Sequence, residues 1–194
     1  MAERYETVEA IGDETVLYFV GAAVMAALMG VFAQAQLPTG PVPITLQTLG
    51  VFLVLLVLGP LWGSLSMGLY VLVGLAGVPV FAGWSAGLGV VLGPSGGFLI
   101  GFPIAAAVGG ALIHRSREPR SLRQVAVPIQ VGGLLVALAI IYAIGIPWMA
   151  VQQGLTLNEA LVQLVAFVPG DVVALVASLV LVTGGYLADS QLLE

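Results

Sequence analysis

The chain has 194 residues, of which 60% are hydrophobic and 8% charged, with a mean hydropathy of +1.13. Soluble domains carry roughly 25% charged residues, so this is the composition of an integral membrane protein. Cysteine and lysine are both absent, and all five basic residues are arginines; disulfides, thiolate chemistry and the lysine of a phosphate-binding loop are therefore excluded. If ATP drives this protein, another subunit binds it. The net charge of −5 gives no reason to expect nucleic acid.

The N-terminal MAERYETVEAIGDET is acidic and lacks the basic start of a cleaved signal. Residues 1–14 read as an acidic cytoplasmic tail, and the first apolar run as a retained anchor. A membrane-spanning helix needs about 20 apolar residues, and six runs qualify: 16–36, 43–59, 61–78, 97–114, 125–146 and 169–188. Together they predict one all-α membrane domain of six helices over 15–190. Only Gly59-Pro60 separates the second run from the third, a tight turn that makes them antiparallel neighbours, with Pro60 suited to the first position of a helix.

Four of the five arginines lie in HRSREPRSLR, 114–123, which the positive-inside rule places in the cytoplasm. Counting outward from that loop puts both termini inside and the 37–42, 79–96 and 147–168 segments outside. Non-helical backbone at membrane depth survives only where protein or water satisfies its polar groups. The Gly- and Pro-rich stretch 40–101 therefore reads as two helices and two irregular loops that close a ligand cavity at the outer face. Thr156-Leu157-Asn158-Glu159 has the capping-box pattern and predicts a short helix across the outer end. Pro169-Gly170 then restarts the chain with Asp171 in the first turn of the last helix, where the helix dipole favours a carboxylate.

Asp171 is the only charged residue within the six runs. Such a group costs roughly 2.5–3.5 kcal/mol on insertion scales, and it reads either as a helix cap or as a ligand contact. Gly83-Trp84-Ser85-Ala86-Gly87 matches the G-x-S-x-G pattern of serine hydrolases, which makes an intramembrane serine hydrolase using Ser85 the alternative reading; a channel-like pore is a third. A serine nucleophile needs a base within hydrogen-bond reach. The single histidine, His114, belongs to the cytoplasmic end of the fourth helix while Ser85 belongs outside, so catalysis is not expected. Trp84, Ser85 and Gly87 instead make a ligand-facing loop. Gln47 has four hydrogen-bonding sites and is expected to face the cavity. Thr45, Thr48, Ser64, Ser66 and Tyr70 are polar groups whose bonds can be structural, with Tyr70 kept among the ligand candidates. In the first helix, Ala22/Ala26 and Ala23/Ala27 form two small-xxx-small pairs that allow close approach, either within the chain or to a partner.

PVPITLQTLGVFL (41–53), LGPLWGSLSMGLYVLVGLAGVPVF (58–81), GLGVVLGPSGGFLIGF (87–102) and FVPGD (167–171) resemble the BioY family, the biotin-binding subunits of energy-coupling-factor transporters. The resemblance implies a six-helix cell-membrane protein that captures biotin from the outer face, without enzymatic activity and without a cofactor. It implies as partners a transmembrane coupling protein, which meets small residues of the first helix (Ala22, Ala23, Ala26, Ala27), and a pair of cytoplasmic ATPases. It assigns Asp171 to the ureido ring of biotin and places Ser85 where relatives often carry asparagine. Two positions depart from the family: Ala174 stands where lysine is common, and the bulky Trp84 precedes Ser85. With no cation at the outer cavity, the start of the fourth helix, Gly96-Gly97, is the expected anion site for the biotin carboxylate.

Overall fold

In lipid every backbone N–H and C=O must be satisfied within the protein, and the long apolar runs meet that demand as an all-helical bundle. The computed structural model describes residues 13–37 and 42–184; the tail expected over 1–14 lies almost wholly outside them. Helix α1 spans Asp13–Gln34 and leads into a small antiparallel hairpin of β1 (Gln36–Leu37) and β2 (Ile44–Thr45), with Gln36 opposite Thr45. Then follow α2 (Gln47–Val57), α3 (Gly59–Leu75), α4 (Leu88–Val91), α5 (Gly96–His114), α6 (Val127–Gln153), α7 (Leu157–Leu164) and α8 (Val168–Thr183).

Among the described residues, α1, α2, α3, α5, α6 and α8 are the helices of ten residues or more, one for each expected run. Three of them, α1, α5 and α6, are long and apolar enough to cross a membrane, and α7 with α8 makes a fourth candidate bent by 50°. The α2 and α3 helices, at 11 and 17 residues, fall short of the roughly 20 that a lipid-facing span needs. For α2 this is explained by its position: Gly50 to Leu56 are all buried, and α1, α3, α5 and α8 pack around it. The end of the expected sixth run, 185–188, lies outside the described residues.

The α2–α3 reversal is tighter than expected, with Leu58 as the single residue between the helices and Gly59 at φ +68°. Glycine enters that left-handed region at little cost. A side chain at Gly59 would also press on the Pro119 nitrogen at 3.1 Å, so the turn sits directly on the arginine-bearing loop. The two helices are antiparallel, since Gln47 Nε2 reaches the Tyr70 hydroxyl at 3.0 Å from the far side of the turn.

The α5–α6 pair forms the spine of the bundle. Gly109 comes so close to α6 that an added methyl would meet the Ala137 Cβ and the Gly133 carbonyl at 2.9 Å, the close approach that small residues permit in membranes. The α6 helix overturns one expectation: it continues through Pro147 to Gln153 instead of ending at 146. Proline there forgoes one backbone bond, and side chains just beyond it secure the helix, Trp148 Nε1 donating to Gly93 O at 2.9 Å and Gln152 Nε2 to Leu92 O. The outer segment expected over 147–168 shrinks accordingly, and α7 fills most of what remains. That helix opens on the expected capping box, with Glu159 N donating to Thr156 Oγ1 at 3.4 Å and Thr156 N to Glu159 Oε2 at 2.8 Å.

Candidate functional site

A cavity of about 240 Å³ lies at the end of α5 opposite the arginine loop, slightly below the roughly 300–1,000 Å³ of sites for drug-sized ligands. Thr45, Gln47 and Thr48 line it from the start of α2, and Phe81, Ala82 and Ser85 from the loop after α3. Phe98, Leu99 and Phe102 of α5 face Ile141 and Tyr142 of α6, and Phe167, Gly170 and Asp171 close it from α8.

Asp171 is 7% exposed. It lies in the first turn of α8, whose N-cap is Phe167. Its partners are side chains across the cavity wall: the Tyr142 hydroxyl donates to Oδ2, and Thr48 faces the same group. An ionised carboxylate has about four acceptor sites, so capacity remains on the cavity side. Beside it stands an aromatic wall. Phe98 stacks on Phe167 with ring centres 6.3 Å apart and 10° between planes, and meets Tyr142 edge-on at 6.5 Å. Offset and edge-on arrangements are the ones that aromatic quadrupoles favour, and they leave a flat apolar surface next to a strong acceptor.

Gln47 lies on the wall as expected, but its amide is already engaged. Thr45 Oγ1 donates to Oε1 at 3.0 Å, Nε2 donates to the Tyr70 hydroxyl at 3.0 Å, and Tyr70 donates onward to Val80 O at 3.2 Å. Tyr70 is fully buried behind the cavity and does not line it. The two residues therefore brace the Val80–Phe81 backbone from α2 and α3.

The loop from Phe81 to Ser85 closes through Phe81 N donating to Ser85 O at 3.0 Å. Its turn holds Gly83 at φ 69° and Trp84 at φ 57°, and the left-handed region costs a non-glycine residue about 1–2 kcal/mol. The Trp84 side chain is 72% exposed and does not line the cavity, nor does Gly87, whose φ is 88°. Ser85 does line it, with its hydroxyl turned to Ala82 O at 2.8 Å.

Gly96 and Gly97 are not lining residues either. The Gly96 N–H donates to Gly93 O at 3.1 Å. The space beside each glycine is filled, Val91 O standing over Gly96 and Trp148 over Gly97. Their small size serves packing, and neither presents an open face to an anion. Ser95, one residue earlier, is the part of this helix start that reaches the cavity.

His114 is fully buried at the other end of α5, its Nδ1 accepting from Arg120 N at 2.9 Å and its Nε2 bonded to Leu55 O at 3.0 Å. Both ring nitrogens are occupied, and the 19 residues of α5 put roughly 27 Å between it and the cavity end. The Ser85 hydroxyl donates to Ala82 O and not to this histidine, and the serine hydrolase reading is not supported.

The pair Ala22/Ala26 packs inside the chain, at 3% and 7% exposure, with Ser66 Oγ donating to Ala22 O at 2.8 Å. Ala23 and Ala27 lie away from the bundle interior on α1, half-buried and exposed respectively, next to exposed Val20, Val24 and Val31.

The family model described as the BioY family matches residues 8–188. The biotin transporter BioY of Rhizobium etli is 36% identical over 169 residues, 86% of this chain and 89% of that protein. That of Rhodobacter capsulatus is 40% identical over 146 residues, covering 71% and 75%. Among solved structures, the S-component for biotin from an ECF-type ABC transporter aligns with a TM-score of 0.78 at 25% identity, over 89% of this chain and 92% of that one. A family match over residues 8–188, relatives covered over most of their length and a shared bundle lead to one conclusion: the chain belongs to the BioY family.

Proposed function

We propose that this protein is the membrane-embedded biotin-binding subunit of an uptake system. The observation that carries the reading is Asp171, a buried carboxylate with spare acceptor capacity on a small cavity walled by Phe98, Phe167 and Tyr142. A ureido ring offers two N–H donors to one carboxylate, and the bicycle and valerate chain suit an apolar wall. Hydrogen bonds to charged groups contribute roughly 1.5–3 kcal/mol each, enough for a few well-placed contacts to give tight capture. The protein is a transporter component and carries out no chemistry on the ligand.

With the arginine loop in the cytoplasm, the cavity faces the outer side and both termini lie inside. The coupling partners follow from what the chain lacks and what it exposes. It has no lysine for nucleotide phosphates, so a separate pair of ATPases supplies energy. The outward Ala23/Ala27 face of α1 offers a close-packing surface to a transmembrane coupling protein. The direct test is calorimetric titration of the purified protein in detergent with biotin and with lipoate, which keeps the valerate chain but has no ureido ring. Saturable one-site binding of biotin alone supports the proposal; equal binding of both, or of neither, overturns it.

A further inference from the structure

The loop that brings Phe81, Ala82 and Ser85 to the cavity is gripped from outside by one side chain of α1. Gln34 Nε2 donates to Phe81 O at 3.0 Å and to Gly30 O at 3.2 Å, while its Oε1 accepts from the Trp84 N–H at 2.9 Å. Gln34 itself does not line the cavity. One loop bond precedes the left-handed pair Gly83-Trp84 and the other holds the peptide N–H between them, and a tryptophan enters that region only when its surroundings hold it there. The next polar residue of α1's extension, Gln36, closes the other side, its amide nitrogen standing 3.3 Å from where a Gly83 side chain would begin.

We propose that Gln34 is a positioning residue of the ligand site: its amide holds the Gly83-Trp84 turn, and the turn sets where Phe81 and Ser85 meet the ligand. The role needs a donor and an acceptor on one planar group, because the Phe81 carbonyl must receive a hydrogen and the Trp84 N–H must give one. Glutamate keeps the acceptor but sets a carboxylate against the Phe81 carbonyl oxygen; leucine keeps the bulk and loses both bonds. This inference rests on the biotin-binding reading for its affinity readout, and on that readout only.

The experiment measures biotin affinity, thermal midpoint and amide hydrogen exchange over residues 80–86, in detergent, for the wild type, Gln34→Leu, Gln34→Glu, and Gln34→Leu combined with Trp84→Gly. Losing two hydrogen bonds that order the loop is expected to raise Kd roughly 5- to 30-fold in Gln34→Leu and to speed exchange at the Trp84 amide. Gln34→Glu falls between the two. Adding Trp84→Gly recovers affinity, because glycine adopts the left-handed turn without support; a residue that merely stabilised the bundle would show no such rescue. Wild-type affinity and wild-type exchange in Gln34→Leu would overturn the proposal, as would an affinity loss that Trp84→Gly leaves unchanged. Should Gln34→Leu fail to fold, the near-isosteric Gln34→Glu decides by the same readouts. A wild type that binds no biotin would sink the ligand assignment alone, and exchange at Trp84 would still decide whether Gln34 holds the loop.

Discussion

The Tyr142 hydroxyl donates to Oδ2 of Asp171, tying the middle of α6 to the first turn of α8 at the wall of the cavity. This bond orients the carboxylate without exhausting it, and together with Thr48 it supplies fixed donors in place of water, the condition on which a buried carboxylate is tolerated.

Asp171→Asn keeps the shape of the side chain and removes the charged acceptor. Biotin affinity is expected to fall by about 1.5–3 kcal/mol, read by titration. Tyr142→Phe leaves the carboxylate one donor short and is expected to cost about 1–3 kcal/mol of stability, read as a lower unfolding midpoint in detergent. Wild-type behaviour of both variants would show that the pair contributes to neither binding nor folding.

Ala174 stands three residues after Asp171, yet it is 4% exposed and does not line the cavity. A lysine introduced there meets packed side chains, and overfilling a core typically costs about 1–3 kcal/mol. Ala174→Lys is therefore expected to lower the unfolding midpoint and to leave the ratio of biotin to biotin-amide affinity unchanged. A selective gain for biotin over its amide would show instead that position 174 reaches the ligand carboxylate.

The glycines divide sharply by what surrounds them. Gly97→Ala must displace Trp148 and is expected to destabilise by about 1–3 kcal/mol. Gly132→Ala, with nothing within 4 Å of the new methyl, is expected to be neutral or to stabilise by about 0.5–1 kcal/mol, the helix-propensity gain of alanine over glycine. Thermal unfolding of the two variants side by side checks the contrast.

On α1 the two small-residue pairs separate function from folding. Ala23→Trp or Ala27→Trp is expected to leave biotin binding by the isolated protein intact while blocking uptake in cells that carry the coupling subunits. Ala22→Trp lands against α3, where Ser66 holds the Ala22 carbonyl, and is expected to abolish folding. Uptake that survives Ala27→Trp would remove this face as the docking surface.

Much of this architecture could be read from sequence because it depends on local rules. The Thr156/Glu159 box forms its helix through contacts three residues apart, and the start of α5 follows from its Gly-Pro punctuation. The extension of α6 through Pro147 was hidden because a proline normally marks a boundary, and the bonds that carry the helix onward, from Trp148 and Gln152, reach residues 55 and 60 positions away. Gln34 left no trace for the same reason, its loop partners lying 47 and 50 residues on. Tyr142 did leave one: a lone hydroxyl in a 27-residue apolar helix needs a polar partner, and Asp171 was the charged group within the runs. The alanine pairs were ambiguous in principle, since overlapping spacings on adjacent faces of a helix do not say which face turns inward.

The brevity of α2 has an electrical consequence. The helix starts at Gln47 on the cavity and ends beside Leu55, whose carbonyl is bonded by His114 at the root of the arginine loop. Its 11 residues rise only about 16 Å, roughly half of a 30 Å hydrocarbon core. On the orientation proposed above, with the arginine loop inside, a ligand that reaches Gln47 and Thr48 from the outer face has entered part of the voltage drop across the membrane. A full crossing is worth about 2.3 kcal/mol per charge at 100 mV, and an anion that enters part of the way does a corresponding fraction of that work against an interior-negative potential. Capture of biotin in proteoliposomes should weaken on hyperpolarisation, whereas its uncharged amide should be indifferent to the applied voltage.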